Sequence, residues 1–132
     1  MIDSDVWIEY EKGRFPLGEY LESRSGENVA MSVVSASELL HGWHRSPSGT
    51  VRERRRAFIE GIFRGVALLP FDLPAARVHA ALWADLRTRG RSIGAHDLMI
   101  AATALSLDYE VVTFNARDFR AVPGLRIGVP AA

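Results

Sequence analysis

The chain has 132 residues, 48% of them hydrophobic, which suffices for one domain with a buried core. Its 16 basic and 16 acidic residues cancel, so no overall field draws a polyanion to it and any nucleic-acid binding must come from local patches. Cysteine is absent, which excludes disulfides, thiolate metal sites and cysteine nucleophiles and leaves oxygen or imidazole as metal ligands.

No run approaches the roughly 18 uninterrupted apolar residues of a membrane span, and the first residues lack the basic segment and apolar stretch of a signal peptide. A cytoplasmic protein without membrane contact is therefore expected, with one domain over residues 1–128 and a short tail at 129–132.

In chain order, Met1-Ile2-Asp3 reads as a first strand, followed by a helix to about Lys12 and a second helix from about Pro16. Val29 to Val33 is the next strand. Ser35 then suits a helix N-cap, with Glu38 at capping-box spacing, which is the ordinary structural reading of Glu38. Thr50 is placed to cap a long helix to about Arg64, and Val66-Ala67-Leu68-Leu69-Pro70 reads as a buried strand. Pro74 opens a helix with Val78, Leu82 and Leu86 at four-residue spacing, stopping at Gly90. After a loop at Ser92 to Ala95, His96 to Leu105 form a largely apolar helix, and Glu110 to Thr113 a last strand. Strands separated by helices predict an α/β fold with a parallel sheet covered on both faces.

The basic residues bunch at Arg52, Arg54, Arg55, Arg56 and again at Arg87, Arg89, Arg91. Arginine forks suit phosphates, although the ordinary reading of a charge run is a solvated face. Trp7, Trp43 and Trp83 fall on helices, where packing is the default over base stacking. The apolar residues Trp43, Phe58, Ile62 and Phe63 exceed what one small core easily buries, so a contact with a second copy or another protein is expected over about residues 35 to 64.

Parallel sheets bind ligands beyond the carboxyl ends of their strands, and the acids sort to that edge. Asp3 ends the first strand, Glu38 lies early in the helix after the second, Asp97 opens the apolar helix, and Asn115 and Asp118 follow the last strand. Crowded carboxylates repel, and a cation is what makes such a cluster sustainable; hard oxygen donors favour Mg²⁺ or Mn²⁺. Such a site orients a water, lowers its pKa and stabilises the charge growing on phosphorus, which points to phosphodiester hydrolysis. Ser4 and Thr113 are placed to hold the carboxylates by hydrogen bonding. Asp5 reads as a helix-start residue near the site. The four histidines show no metal spacing, and only His96 stands beside a candidate acid.

The segments Ile2-Asp3-Ser4-Asp5-Val6-Trp7-Ile8, Ser35-Ala36-Ser37-Glu38-Leu39-Leu40-His41-Gly42, His96-Asp97-Leu98-Met99-Ile100-Ala101-Ala102-Thr103-Ala104 and Val111-Val112-Thr113-Phe114-Asn115-Ala116-Arg117-Asp118-Phe119 together resemble the PIN domain, and more narrowly the VapC-type toxins of toxin-antitoxin pairs. The resemblance covers nearly the whole chain in order and spacing. It implies a small α/β domain, usually homodimeric, that cuts RNA with Mg²⁺ or Mn²⁺ and is blocked by a cognate antitoxin. By position it makes Asp3, Glu38 and Asp97 metal-binding catalytic acids. The fourth acid of the family stands either where this chain has Asn115 or where it has Asp118; Asp118 is favoured, with Asn115 as a neutral helper. The reading of another class is a PIN-like adaptor without activity, which a missing Asp3, Glu38 or Asp97 would have signalled. A phosphate-accepting response regulator needs a late lysine, and Lys12 is the only lysine.

Overall fold

The computed structural model describes residues 1–24 and 26–130. The elements run α1 (Ser4–Glu11), α2 (Leu17–Glu22), β1 (Ala30–Ser32), α3 (Val33–His44), α4 (Thr50–Gly65), β2 (Ala67–Leu69), α5 (Leu73–Thr88), α6 (Ala95–Leu107), β3 (Val111–Val112), α7 (Ala116–Phe119) and β4 (Ile127–Gly128). Of the expected tail, Ala131 and Ala132 lie outside the described residues.

Two parallel pairs, β1 with β2 and β3 with β4, are joined by the segment Met1–Asp3 between them. Ile2 N–H donates to the Ala30 carbonyl at 2.8 Å, while Asp3 N–H donates to Val112 at 2.9 Å and Val112 N–H to Met1 at 2.8 Å. The first strand is thus two hydrogen-bonded neighbours wide and one bridge long.

Alternation across the pleat divides the core. Met1 and Val111 face a layer of α5, α6 and Phe119, whereas Ile2, Met31 and Val112 face one built on Val6, Trp7, Leu17, Leu39, Ile59 and Ile62. Helices therefore cover both faces, as the strand-helix alternation predicts. Helix α6 is apolar nearly all round and buries Ile100, Ala101, Ala102 and Ala104 completely, its alanines allowing α5 to approach closely. Helix α3 serves both layers, with Val34 on one side and Leu39 on the other.

Several local expectations are corrected. Ser32, not Ser35, caps α3, its hydroxyl accepting from Val34 N–H at 3.0 Å, so the helix starts earlier than the capping-box spacing implies. Ser35 is fully buried inside the helix, and its hydroxyl has no partner among the described residues. Gly49 rather than Thr50 occupies the N-cap of α4, without a side-chain cap. Asp72 caps α5 by accepting from Ala75 N–H, which places Pro74 inside the first turn. The run around Ala67–Leu69 is no buried strand: β2 pairs with β1 alone and leaves Leu68 39% exposed.

Half of the first arginine bunch is taken up by packing, while Arg54 and Arg56 are exposed and form no ion pair among the described residues. Arg52 lies 4.7 Å from the Trp43 ring centre and donates to the carbonyls of Trp43, His44 and Ser46 at the end of α3, while Arg55 reaches Glu11 and the Ser46 hydroxyl. Trp43, Phe58 and Phe63 are half-buried against the layer around Trp7, and Ile62 is buried, so the surplus expected over residues 35 to 64 is absorbed internally.

Candidate active site

Asp3 stands where the N-terminal segment turns into α1, with 6% of its surface exposed. Its Oδ1 accepts from Ser4 N–H at 2.8 Å and its Oδ2 from the Thr113 hydroxyl at 2.9 Å. Thr113, fully buried just beyond β3, is itself fixed, because its N–H donates to the Gly128 carbonyl and its hydroxyl oxygen accepts from Asn115 N–H.

The same hydroxyl lies 3.2 Å from Asp5 Oδ2, which also accepts from Phe114 N–H at 3.1 Å. A hydroxyl carries one proton and cannot donate to both carboxylates at once, so Asp3 and Asp5 compete for it. Asp5 is thus more than a helix-start residue: it ties the first turn of α1 to the end of β3. Its two-residue spacing from Asp3 is the signal that could have shown this, since the turn from extended chain into α1 brings both side chains to Thr113.

Ser4 carries the contact onward. Its hydroxyl donates to Glu38 Oε1 at 3.1 Å, and Glu38 Oε2 lies 3.6 Å from His96 Nδ1. Glu38 is in the second turn of α3, too far along for a capping box, and its half-buried carboxylate faces α1 and the start of α6. Asp97 is in the first turn of α6, where the helix dipole favours an acid, yet its carboxylate forms no capping hydrogen bond; Gly94 is the N-cap. Asp118, on α7, is exposed and accepts from the Asn115 side-chain amide at 3.1 Å.

Electrostatics join these groups. Burial pushes the Asp3 carboxyl up to about 7, and repulsion from Asp5 and then Asp97 adds to it against the hydrogen bonds from Thr113 and Ser4. Burial raises Asp97 to about 6, with repulsion from Glu38, Asp118 and Asp5 adding to it. Asp5 is raised by burial as well. Among the described residues no arginine or lysine lies within ion-pair distance of Asp3, Asp5, Glu38, Asp97 or Asp118. Nor, among the described residues, do any three acidic or histidine side chains stand close enough together to hold a metal ion between them.

The structure therefore brings Asp3, Glu38, Asp97 and Asp118 into one another's field, with Ser4, Thr113 and Asn115 as hydrogen-bonding supports, short of a finished cage. A divalent ion of the Mg²⁺ kind fits such a set. It takes oxygen donors, binds through one or two carboxylates while keeping several waters, and would offset the burial and repulsion that raise Asp3 and Asp97.

The PIN domain family model matches residues 1–125. The chain belongs to the PIN domain family. This PIN domain is 37% identical over 127 residues to a tRNA(fMet)-specific endonuclease VapC of Shigella flexneri, covering 96% of this chain and 93% of that one. It is 30% identical over 127 residues to ribonuclease VapC of Rickettsia bellii, covering 96% and 92%. Among solved structures, DNA-bound VapBC from Salmonella typhimurium superposes with a TM-score of 0.85 at 30% identity, over 96% of this PIN domain and 94% of that chain. The fold and the VapC resemblance read from the four sequence segments agree with these matches.

Proposed function

We propose that this PIN domain is a divalent-metal-dependent endoribonuclease toxin neutralised by a cognate antitoxin. The observation that supports it best is the set of carboxylates from four chain regions that crowd together, two with raised pKa, and with no arginine or lysine at ion-pair distance among the described residues. Stability alone gives no reason to assemble such a set. The VapC relatives, two of them named tRNA(fMet)-specific endonucleases, make tRNA(fMet) the first RNA to test.

In this reading Asp3, Glu38, Asp97 and Asp118 hold Mg²⁺, with Mn²⁺ as a substitute, and Asn115 orients Asp118. The bound ion would supply charge neutralisation and a water of lowered pKa for attack at phosphorus. Thr113 and Ser4 set the directions of the Asp3 and Glu38 carboxylates, while Asp5 is anchored by Phe114 N–H and competes with Asp3 for the Thr113 hydroxyl. The adaptor reading has no support in the residues, since Asp3, Glu38 and Asp97 are all present and share one electrostatic site.

The antitoxin, by the same electrostatics, inhibits with an arginine, whose fork engages two carboxylates without metal. Replacing each arginine of the antitoxin's tail by alanine should release RNase activity at one position. A homodimer belongs to the proposal too, resting on exposed apolar side chains such as Leu68 and Leu73 rather than on Phe58 and Phe63. Light scattering checks it. No described helix is long and apolar enough to cross a membrane, and a ribonuclease of this kind works where RNA and antitoxin are made, in the cytoplasm.

The deciding experiment incubates the purified chain with tRNA(fMet) in Mg²⁺, in EDTA, and as Asp97→Asn. Cleavage confined to the first condition supports the reading; cleavage in EDTA, or at the wild-type rate by the variant, overturns it.

A further inference from the structure

The second arginine bunch differs from the first in that its members without an ion pair among the described residues line a groove. Arg89, in its middle, is held by Asp85 and by the Ala121 carbonyl. Arg87 and Arg91 are exposed, and among the described residues neither forms an ion pair or a side-chain hydrogen bond. Both line a groove of about 370 Å³ between the second half of α5 and the start of α6.

One stripe of α5 supplies one wall. His79, Trp83 and Arg87 follow one another at the four-residue spacing that stacks side chains on a helix face. Phe71, His79 and Trp83 form a run of aromatic contacts, with ring centres 5.5 Å and then 5.7 Å apart. Trp83 ends that run 53% exposed, contrary to the packing role expected for a helix tryptophan. Leu86 and Leu98 make the buried floor, and the opposite wall is Ala95 and Met99 of α6. Ala95 and Asp97 share the first turn of α6, so the groove and the acids lie on different sides of one helix, roughly 10 Å across.

We infer that this groove is a subsite for single-stranded RNA, in which a base stacks on Trp83 while Arg87 and Arg91 take the flanking phosphates. The inference rests on the ribonuclease reading above and extends it to how substrate is held. The charge balance supports it: two arginines without carboxylate partners, beside an exposed indole, complement a polyanion carrying aromatic bases, and recognition of unpaired RNA uses this combination of stacking face and cationic groove. An apolar protein partner would gain little from two unneutralised guanidinium groups at the rim. It also gives this chain, whose net charge is zero, the local patch that RNA binding requires.

The test measures binding apart from cleavage. A short fluorescent single-stranded RNA of mixed sequence is titrated against the full chain in EDTA, followed by anisotropy, for wild type, Trp83→Ala, Trp83→Phe and the double variant Arg87→Gln, Arg91→Gln. Trp83→Ala should weaken binding about five- to a hundredfold, the range of one lost base stack, with Trp83→Phe restoring most of it. The double variant should flatten the dependence of log Kd on log salt by about 1.4, the share of two phosphate contacts on a single strand. Binding unchanged by Trp83→Ala overturns the inference. So does a variant that loses self-association in light scattering but binds RNA as before, which would assign the groove to a second copy. A failure of the ribonuclease reading shows elsewhere, as wild-type protein that does not cut RNA in Mg²⁺.

Discussion

The two edges of the sheet carry the same residue types and treat them in opposite ways. At the amino ends of the strands, Glu110 lies 2.6 Å from Arg24, which also holds Glu27 at 2.7 Å, and Asp108 accepts from Arg126. At the carboxyl ends stand Asp3, Asp5, Glu38, Asp97 and Asp118, and the carboxyls of Asp3, Asp5 and Asp97 titrate high, through burial first and, for Asp3 and Asp97, repulsion from neighbouring acids as well. Asp108 and Glu110 at one edge come with their counter-charge, whereas the buried Asp3 and the half-buried Asp97 at the other have no arginine or lysine at ion-pair distance among the described residues.

The sharpest way to break this contrast is Asp97→Asn, which removes charge without changing volume. RNA cleavage in Mg²⁺ should fall below about one hundredth of wild type, a loss of the size seen when one transition-state contact is removed. The metal-free protein should melt higher, because repulsion from Glu38 and Asp118 is relieved; a lower melting temperature would make Asp97 a structural helix-start residue. Thr113→Val tests the support beneath Asp3. Cleavage and Mg²⁺ affinity should drop about 10- to 100-fold, as for other groups that orient a metal ligand, and Thr113→Ser should recover them. Equal loss in both variants would mean that packing of the methyl group matters and the hydroxyl does not.

Acidity probes the same edge more gently. The Asp3 carboxyl sits at about 7 in the folded chain against 3.8 ordinarily, and Asp97 at about 6, so the native state binds more protons than the unfolded one between those values. Their contribution to stability is complete below about pH 4 and is lost as pH rises through about 6 and 7. The metal-free protein should therefore melt lower at pH 8 than at pH 5.5, and Mg²⁺ should raise the melting temperature more at pH 8, where it meets no competing proton. A flat profile would mean that the carboxylates are screened by solvent. The smallest effect is expected at the opposite edge. Arg24→Met leaves Glu110 without its partner and should cost about 1–2 kcal/mol in urea unfolding, with the cleavage rate of the folded protein unchanged. Altered cleavage would show that the two edges communicate.

Much of this was legible in the chain. The alternation of strands and helices as far as β3, the apolar character of α6 and the edge to which Asp3, Glu38, Asp97 and Asp118 sort follow from periodicity and from the rule that parallel sheets bind ligands at their carboxyl ends, while α7 and the two-residue β4, too short to show a period, escape the sequence. What escaped depended on contacts between distant residues. Ser32 and Ser35 are equally good caps by composition, and the strand register that ends β1 at Ser32 decides between them. Asp5 looks like an ordinary first-turn acid until Thr113, far along the chain, is brought against it. The two arginine bunches are alike on paper; only the fold shows Arg52 and Arg55 spent on Trp43, Ser46 and Glu11 while Arg87 and Arg91, without ion pairs among the described residues, line a groove beside Trp83. The run at Ala67–Leu69 is apolar enough for an interior strand, but its place at the margin of the sheet exposes it.

The hydrogen bond from Thr113 to Asp3 spans 110 positions of sequence, and Thr113 is in turn anchored to Gly128. Asp3 is made well before Thr113 and Gly128, and the hydroxyl that orients it exists only once the chain has reached β3. A loop of that length closes late in folding, after the local helices have formed. The candidate site is therefore incomplete in the nascent chain until synthesis has passed β3 and β4. For an enzyme whose substrate surrounds it during translation, that timing gives the cell an interval in which an inhibitor made alongside can meet the chain as it folds.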